Sequence, residues 1–273
     1  MAERLELADL EKKDQVMSIG RDYIAALEKE LRRLIYEIFK NPDASASDEI
    51  SDYDLLAEAV FWSLGELINN ANKANNRWAL LRNALFQRAQ RERPDEKQEK
   101  LFADIDYAIQ HNQTDFLKKY NMDGIDLTSS ILKLIEMHKT NSFALSEKFN
   151  KKIDLTMRIK EKSGRKILIL NVINNSPITV VDKSRVEYNL EKIKEDLINS
   201  GKNPLEAAAR LYDKPADHAG GGFGAGLRSI VLFLKEGYAP FDEDITFSRL
   251  IQYRSAGNST IFTIELPVPR KAA

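Results

Sequence analysis

The stretch KKIDLTMRIKEKSGRKILILNVINN, Lys151–Asn175, decides the fold class of this chain. Ile153, Leu155, Met157 and Ile159 alternate with polar residues, the period-two pattern of a half-buried strand. Ser163-Gly164 supplies a turn, and Lys166 to Asn174 reads as a second, more deeply buried strand. The helical period that governs the chain before Lys152 ends here.

Downstream, the sequence predicts helices over Arg185 to Ser200 and Pro204 to Tyr212. A polar loop follows from Asp213 to Ala219, and Ser229 to Lys235 opens a further helix. Two more strands, Ile245 to Arg254 and Thr260 to Val268, are joined by Ser255-Ala256-Gly257-Asn258. Mostly antiparallel strands with helices on one face make this half α+β.

Upstream, the first forty residues read as helical. Ile24, Leu27, Leu31, Leu34 and Ile38 form an apolar stripe that ends at Asn41-Pro42-Asp43, with a polar linker from Ala44 to Ser51. The stripe suits either intramolecular packing or a homodimer seam. It covers only about two heptads, short of the three or four that argue a coiled coil, which favours packing. A second helix is predicted from Tyr53 to Arg77. The charged, helical run from Ala79 to Asn150 is broken only at Pro94 and Asn121–Gly124. The organisation expected is therefore an N-terminal helical segment over 1–50 and a domain over 51–273, with a helical insertion at about 79–150.

The chain has 273 residues, 43% of them hydrophobic, enough for a sizeable core. Its net charge of -1 gives no global reason to expect nucleic acid as a partner. It has no cysteine, which excludes disulfides, thiolate catalysis and zinc-thiolate sites. The charged N-terminus lacks an apolar signal core. Apolar runs such as Ile167–Ile173 and Ile230–Leu234 are too short for a bilayer. The expectation is a soluble, cytoplasmic protein without a membrane partner.

Two motifs carry chemistry. In GGGFGAGL, Gly220 to Leu227, five glycines run into an apolar helix. Glycine lets backbone approach an anion, and a helix start aims N–H groups and a positive dipole end at it. Such a loop also serves as a hinge. It does not follow a strand in a βαβ unit, which argues against a dinucleotide fold, and it lacks the Gly-Lys-Ser/Thr ending of a phosphate loop. In ELINNANKA, Glu66 to Ala74, a carboxylate (Glu66), an amide (Asn70) and an ammonium (Lys73) share one helix face. They could supply a base, a Mg²⁺ ligand and a phosphate contact. An isolated trio of this kind is more often a solvated face. Asn69, Asn70, Asn72, Asn75 and Asn76 are poor helix formers, however, so something other than helix stability keeps them there.

ELINNANKA resembles the N box of the GHKL (Bergerat-fold) ATPases, and GGGFGAGLRSIV resembles their second glycine box. GNSTIFTIELPVP, Gly257 to Pro269, resembles the closing hairpin of their histidine-kinase branch. The blocks occur in family order over roughly Asp52 to Pro269. The resemblance implies an α/β sandwich with a mixed, mostly antiparallel sheet, binding ATP with Mg²⁺. Asn70 would ligate the metal, Glu66 would act as the base and Lys73 would contact phosphate. Gly222, Gly224, Gly226 and Leu227 would form the loop over the phosphates, and Thr260 would lie near adenine. The family places an Asp at the end of the inner strand to accept from the adenine amine. Here Asn174 holds that position, and Ser176 replaces a nearby Gly. An amide oxygen still accepts, without the charge.

A sensor kinase carries its target His on helices before the ATPase domain, but residues 1 to 60 contain none. Only His111, His138 and His218 are present. The expectation is an ATP-binding, histidine-kinase-like signalling ATPase without an evident phosphoacceptor, working with a protein partner or as a homodimer. The alternative is a non-catalytic nucleotide-binding or protein-interaction module.

Overall fold

Ile153–Lys162 (β2) and Arg165–Asn174 (β3) form an antiparallel hairpin with Lys162 opposite Arg165. Ser163 and Gly164 take φ of 53° and 70°. Positive φ at both central residues is what a two-residue turn matched to strand twist requires. The structure, a computed structural model, describes residues 15–19, 24–39, 51–111, 146, 148–178, 180–199, 223–241, 251–256 and 258–269.

Gln15–Ile19 (β1) pairs with β2, and Ser259–Pro267 (β5) lies between β3 and Ile251–Ala256 (β4). The strand order is β1-β2-β3-β5-β4, and every neighbouring pair is antiparallel. The sheet among the described residues is thus wholly antiparallel rather than mixed. β1 also corrects the helical reading of the first forty residues. Val16 and Ile19 in QVMSI suit a strand, and β2 offers an open edge.

One face of the sheet is apolar. Ile153, Leu155, Met157, Leu168, Leu170, Val172, Ile264 and Leu266 are all buried. Each such side chain contributes roughly 1.5–3 kcal/mol when fully removed from water. The opposite face carries a polar ladder across three strands. Thr263 Oγ1 donates to Asn171 Oδ1 (2.6 Å), and Asn171 Nδ2 donates to Thr156 Oγ1 (2.7 Å).

The buried face packs against Asp52–Glu92 (α2), which starts at a Ser51–Asp54 capping box. Ile24–Ile38 (α1) adds Leu31, Leu34, Ile35 and Ile38 to the same core, so the N-terminal stripe packs intramolecularly. Arg32 Nη1 reaches both Glu58 oxygens (2.8 and 2.7 Å), Tyr36 donates to Oε2 (2.9 Å), and Arg32 lies 4.2 Å over the Phe61 ring. Burial pushes the Glu58 carboxyl up, but bonds from Arg32 and Tyr36 and the Arg32 charge outweigh it and hold it below the usual carboxylate range. This tie between α1 and α2 is present at neutral pH and is lost as pH falls below that range, through the lowered Glu58 pKa.

α2 does not stop at Arg77, where the sequence reading ends it. Trp78, Ala79, Leu81, Leu85 and Ala89 continue its buried stripe. With Leu101, Ile105, Ala108 and Ile109 of Gln98–His111 (α3) they form a second core. Pro94 falls between the two helices, as expected. The rest of the anticipated 79–150 insertion lies mostly outside the described residues, as do the predicted helix over Pro204 to Tyr212 and the Ala44 to Ser51 linker up to its last residue. Val180–Asn199 (α4) matches the helix expected from Arg185 and starts earlier. Among the described residues no helix is long and apolar enough to cross a membrane.

Phe223–Tyr238 (α5) lies along α2. A Cβ added at Gly237 would stand 2.9 Å from Ala59 Cβ and 3.3 Å from Leu56 Cα, whereas one at Gly65 meets nothing within 4 Å. Alanine outranks glycine in a helix by about 1 kcal/mol. Gly65→Ala should therefore gain about 1 kcal/mol in urea denaturation. Gly237→Ala, which forces two helices apart, should instead lose about 1–3 kcal/mol. Equal shifts for both variants would refute the close helix contact.

Candidate functional site

Because α5 meets Leu56 and Ala59 through Gly237 near its C-terminus, and α2 begins only at Asp52, α5 runs antiparallel to α2. At about 1.5 Å of rise per residue, Leu227 lies level with Leu67 and the first turn of α5 level with Asn70. Leu227 is fully buried in the shared core. Gly224 and Gly226 fall inside that first turn: the helix starts at Phe223, ahead of the Ser229 read from the sequence. Gly222 lies outside the described residues.

Asn70 is 2% exposed, and neither Oδ1 nor Nδ2 has a protein hydrogen-bond partner among the described residues. A buried polar atom left unsatisfied costs about 1–3 kcal/mol, so this amide is expensive to keep for folding alone. Glu66, one turn earlier, is half-buried, and Lys73, nearly one turn later, is exposed. Among the described residues no three His, Asp or Glu side chains gather as a metal site. Mg²⁺ needs no such cage, since it is commonly held by one or two protein oxygens plus phosphate and water. An orphaned amide oxygen level with a helix start fits that mode of binding.

The far end of the site is built by strand register. Asn174, last residue of β3, stands opposite Thr260 of β5, and both are buried. Thr260 Oγ1 donates to the Ser176 carbonyl (3.0 Å). Asn174 Nδ2 lies 3.4 Å from both Asn75 Oδ1 and the Ser176 carbonyl, and Asn75 Nδ2 donates to the Lys152 carbonyl (3.2 Å). Ser176 Oγ is buried without a protein partner among the described residues. The structure thus joins Asn174 and Thr260 directly and sets Glu66, Asn70 and Lys73 along α2 from the Asn75 contact toward the start of α5.

Three contributors escaped sequence reading. Asn75 was indistinguishable from the other asparagines of its run, although it follows Leu67 and Ala71 at intervals of four on the buried stripe. Asn175 holds its loop in place. Its Oδ1 accepts from Lys152 N (2.8 Å) and its Nδ2 donates to the Asn150 carbonyl (2.8 Å). Lys151 joins the site to the second core: its ammonium donates to the Asn175 carbonyl (2.8 Å) and lies 3.7 Å over the Trp78 ring. Beyond it, Arg82 forks onto Asp106 (2.8 and 3.0 Å) and lies 4.0 Å over the Phe102 ring.

Of the histidines, His111 ends α3, donates from Nδ1 to the Tyr107 carbonyl (2.9 Å) and stacks on the Tyr107 ring, so it serves its own helix. His138 and His218 lie outside the described residues.

Comparison with known proteins adds no relative: no protein-family model matches the chain, and neither does any curated protein or solved structure.

Burial lowers the Lys151 ammonium to about 8, with Asp106 opposing and Arg82 assisting. The unfolded chain holds this proton up to about pH 10.4. Between those values the unfolded state binds more protons, so the folded state gains stability as pH rises. Urea midpoints taken from pH 7.5 to 10 should climb more steeply for the wild type than for Lys151→Met. Parallel profiles would show that Lys151 titrates normally.

Proposed function

We propose that this chain is a Mg-ATP-binding domain of the GHKL type, a Bergerat-like sandwich of the histidine-kinase branch. Asn70 carries the reading: a buried amide with both polar atoms unsatisfied, on the helix face where the resemblance puts a metal ligand, level with the start of a glycine-bearing helix. Asn174 and Thr260, paired at the end of the sheet, support it as the base-binding end. An antiparallel sheet with α2 and α5 on one face agrees with the expected sandwich at the level of α+β architecture.

On this reading Asn70 Oδ1 would hold a magnesium ion, which would supply positive charge to neutralise the phosphates. The first turn of α5 directs backbone N–H groups at phosphate oxygens. Lys73, exposed on the same helix, contributes a mobile positive charge. Glu66 accepts the proton of the attacking group on a carboxylate oxygen.

Asn70→Leu keeps the branching and heavy-atom count of the side chain while deleting two unsatisfied polar atoms. Its expected effects are opposite in sign: Mg-ATP binding by calorimetry is lost, while the urea midpoint stays level or rises by roughly 1–3 kcal/mol of stability. A merely structural asparagine would show the reverse, with stability falling and binding retained.

Glu66→Gln keeps shape and removes the base. Steady-state phosphate release should fall by about two orders of magnitude or more with nucleotide affinity little changed. An unaltered rate would take Glu66 out of the chemistry. Binding without any turnover in the wild type would favour the non-catalytic alternative.

A further inference from the structure

The amide at position 174 can face either way, and what surrounds it decides which. Lys152 O has no proton, so the Asn75 amide beside it must present Nδ2, at 3.2 Å. Asn75 Oδ1 is thereby turned toward Asn174, which must answer with its own Nδ2, at 3.4 Å. The Ser176 carbonyl, also 3.4 Å from that nitrogen, makes the same demand. Turned over, Asn174 would set its oxygen against two other oxygens inside the protein, since Asn75 and Asn174 are each 2% exposed. Only one arrangement satisfies the chain of acceptors, and it leaves Asn174 Oδ1 on the opposite side of the amide.

We propose that Asn75 is a specificity-positioning residue: by holding the Asn174 oxygen on the side of the amide away from Asn75 and the Ser176 carbonyl, it makes the base site choose a 6-amino purine over a 6-oxo purine. The inference rests on the nucleotide-binding reading above. A 6-amino purine donates to Oδ1 held in this way, while a 6-oxo purine sets oxygen against oxygen. If Asn174 turned over, its NH₂ would welcome the 6-oxo base, so the pocket would accept both. A carboxylate at 174 would need no such hold, because both of its oxygens accept. Asn75 is therefore the counterpart of having an amide at this position, and it joins α2 to β3 directly at the base-binding end.

The test compares Mg-ATP with Mg-inosine triphosphate, which differ at the 6-position, by calorimetry on the full chain. The wild type should prefer ATP by about tenfold or more, the size of one hydrogen bond exchanged for a repulsion. Asn75→Leu should lower the ratio severalfold, chiefly by gaining inosine triphosphate, with the Ser176 carbonyl still holding part of the orientation. Adding Asn174→Asp to that variant should restore the preference, which a general loosening of the fold would not do. Asn75→Ser serves in the same way if Asn75→Leu melts below the assay temperature. Equal wild-type affinities, an unchanged ratio in the position-75 variants, or failure of the added Asn174→Asp to restore the preference would overturn the proposal while leaving ATP binding intact. Absence of ATP binding by the wild type would remove the nucleotide reading and this inference with it.

Discussion

The apolar stripe of α2 against the β2–β3 face is the contact on which the rest of the structure depends. Leu56, Val60, Leu64 and Leu67 pack with Leu155, Leu170 and Val172, and α5 and α1 complete the same core. Burial of this kind has no direction, so it fixes which face of α2 turns inward without regard to what else lies on that face. Asn70 and Asn75 sit on the stripe. Once the leucines before them are seated, both amides must enter the interior. The hydrophobic contact positions the polar site.

The two asparagines then part ways. Asn75 reaches the end of the sheet, where the Lys152 carbonyl and Asn174 satisfy it. Asn70, closer to the α5 start, meets no such partner among the described residues. Two residues of one type, on one helix and equally buried, separate a polar group used for architecture from one held at a cost of about 1–3 kcal/mol per unsatisfied atom. Helix propensity ranks them identically, so no local rule could have told them apart.

That limit explains what the sequence made legible. The hairpin could be read because alternation and a Ser-Gly turn are local properties, and the register places Asn174 opposite Thr260 as the end of one strand and the start of another imply. β1 could not: five residues with weak alternation become a strand only because β2 presents an open edge far along the chain. The length of α2 was hidden for a similar reason. An asparagine-rich run lowers intrinsic helicity, and the second core around Trp78, Leu85 and Ile105, which sustains the helix past it, forms between separate segments. Glu66, Asn70 and Lys73 could be grouped by spacing alone, whereas Asn75 became visible only through a carbonyl on another element.

The second core also has a bearing on the site. Lys151 follows the positive-φ Asn150 and immediately precedes Lys152, whose carbonyl orients Asn75. Its ammonium spans from the Trp78 face to the Asn175 carbonyl, next to Asn174. Trp78 is three residues beyond Asn75 on α2, nearly one turn, so one helix segment touches the loop before β2 and the last residue of β3. A neutral amide at position 174 is less costly to bury than a carboxylate, but it must be aimed, and aiming requires its neighbours to be rigid. The Trp78–Lys151–Asn175 contacts supply that rigidity from outside the main core. The helical extension is thereby mechanically joined to the Asn75–Asn174 end of the sheet.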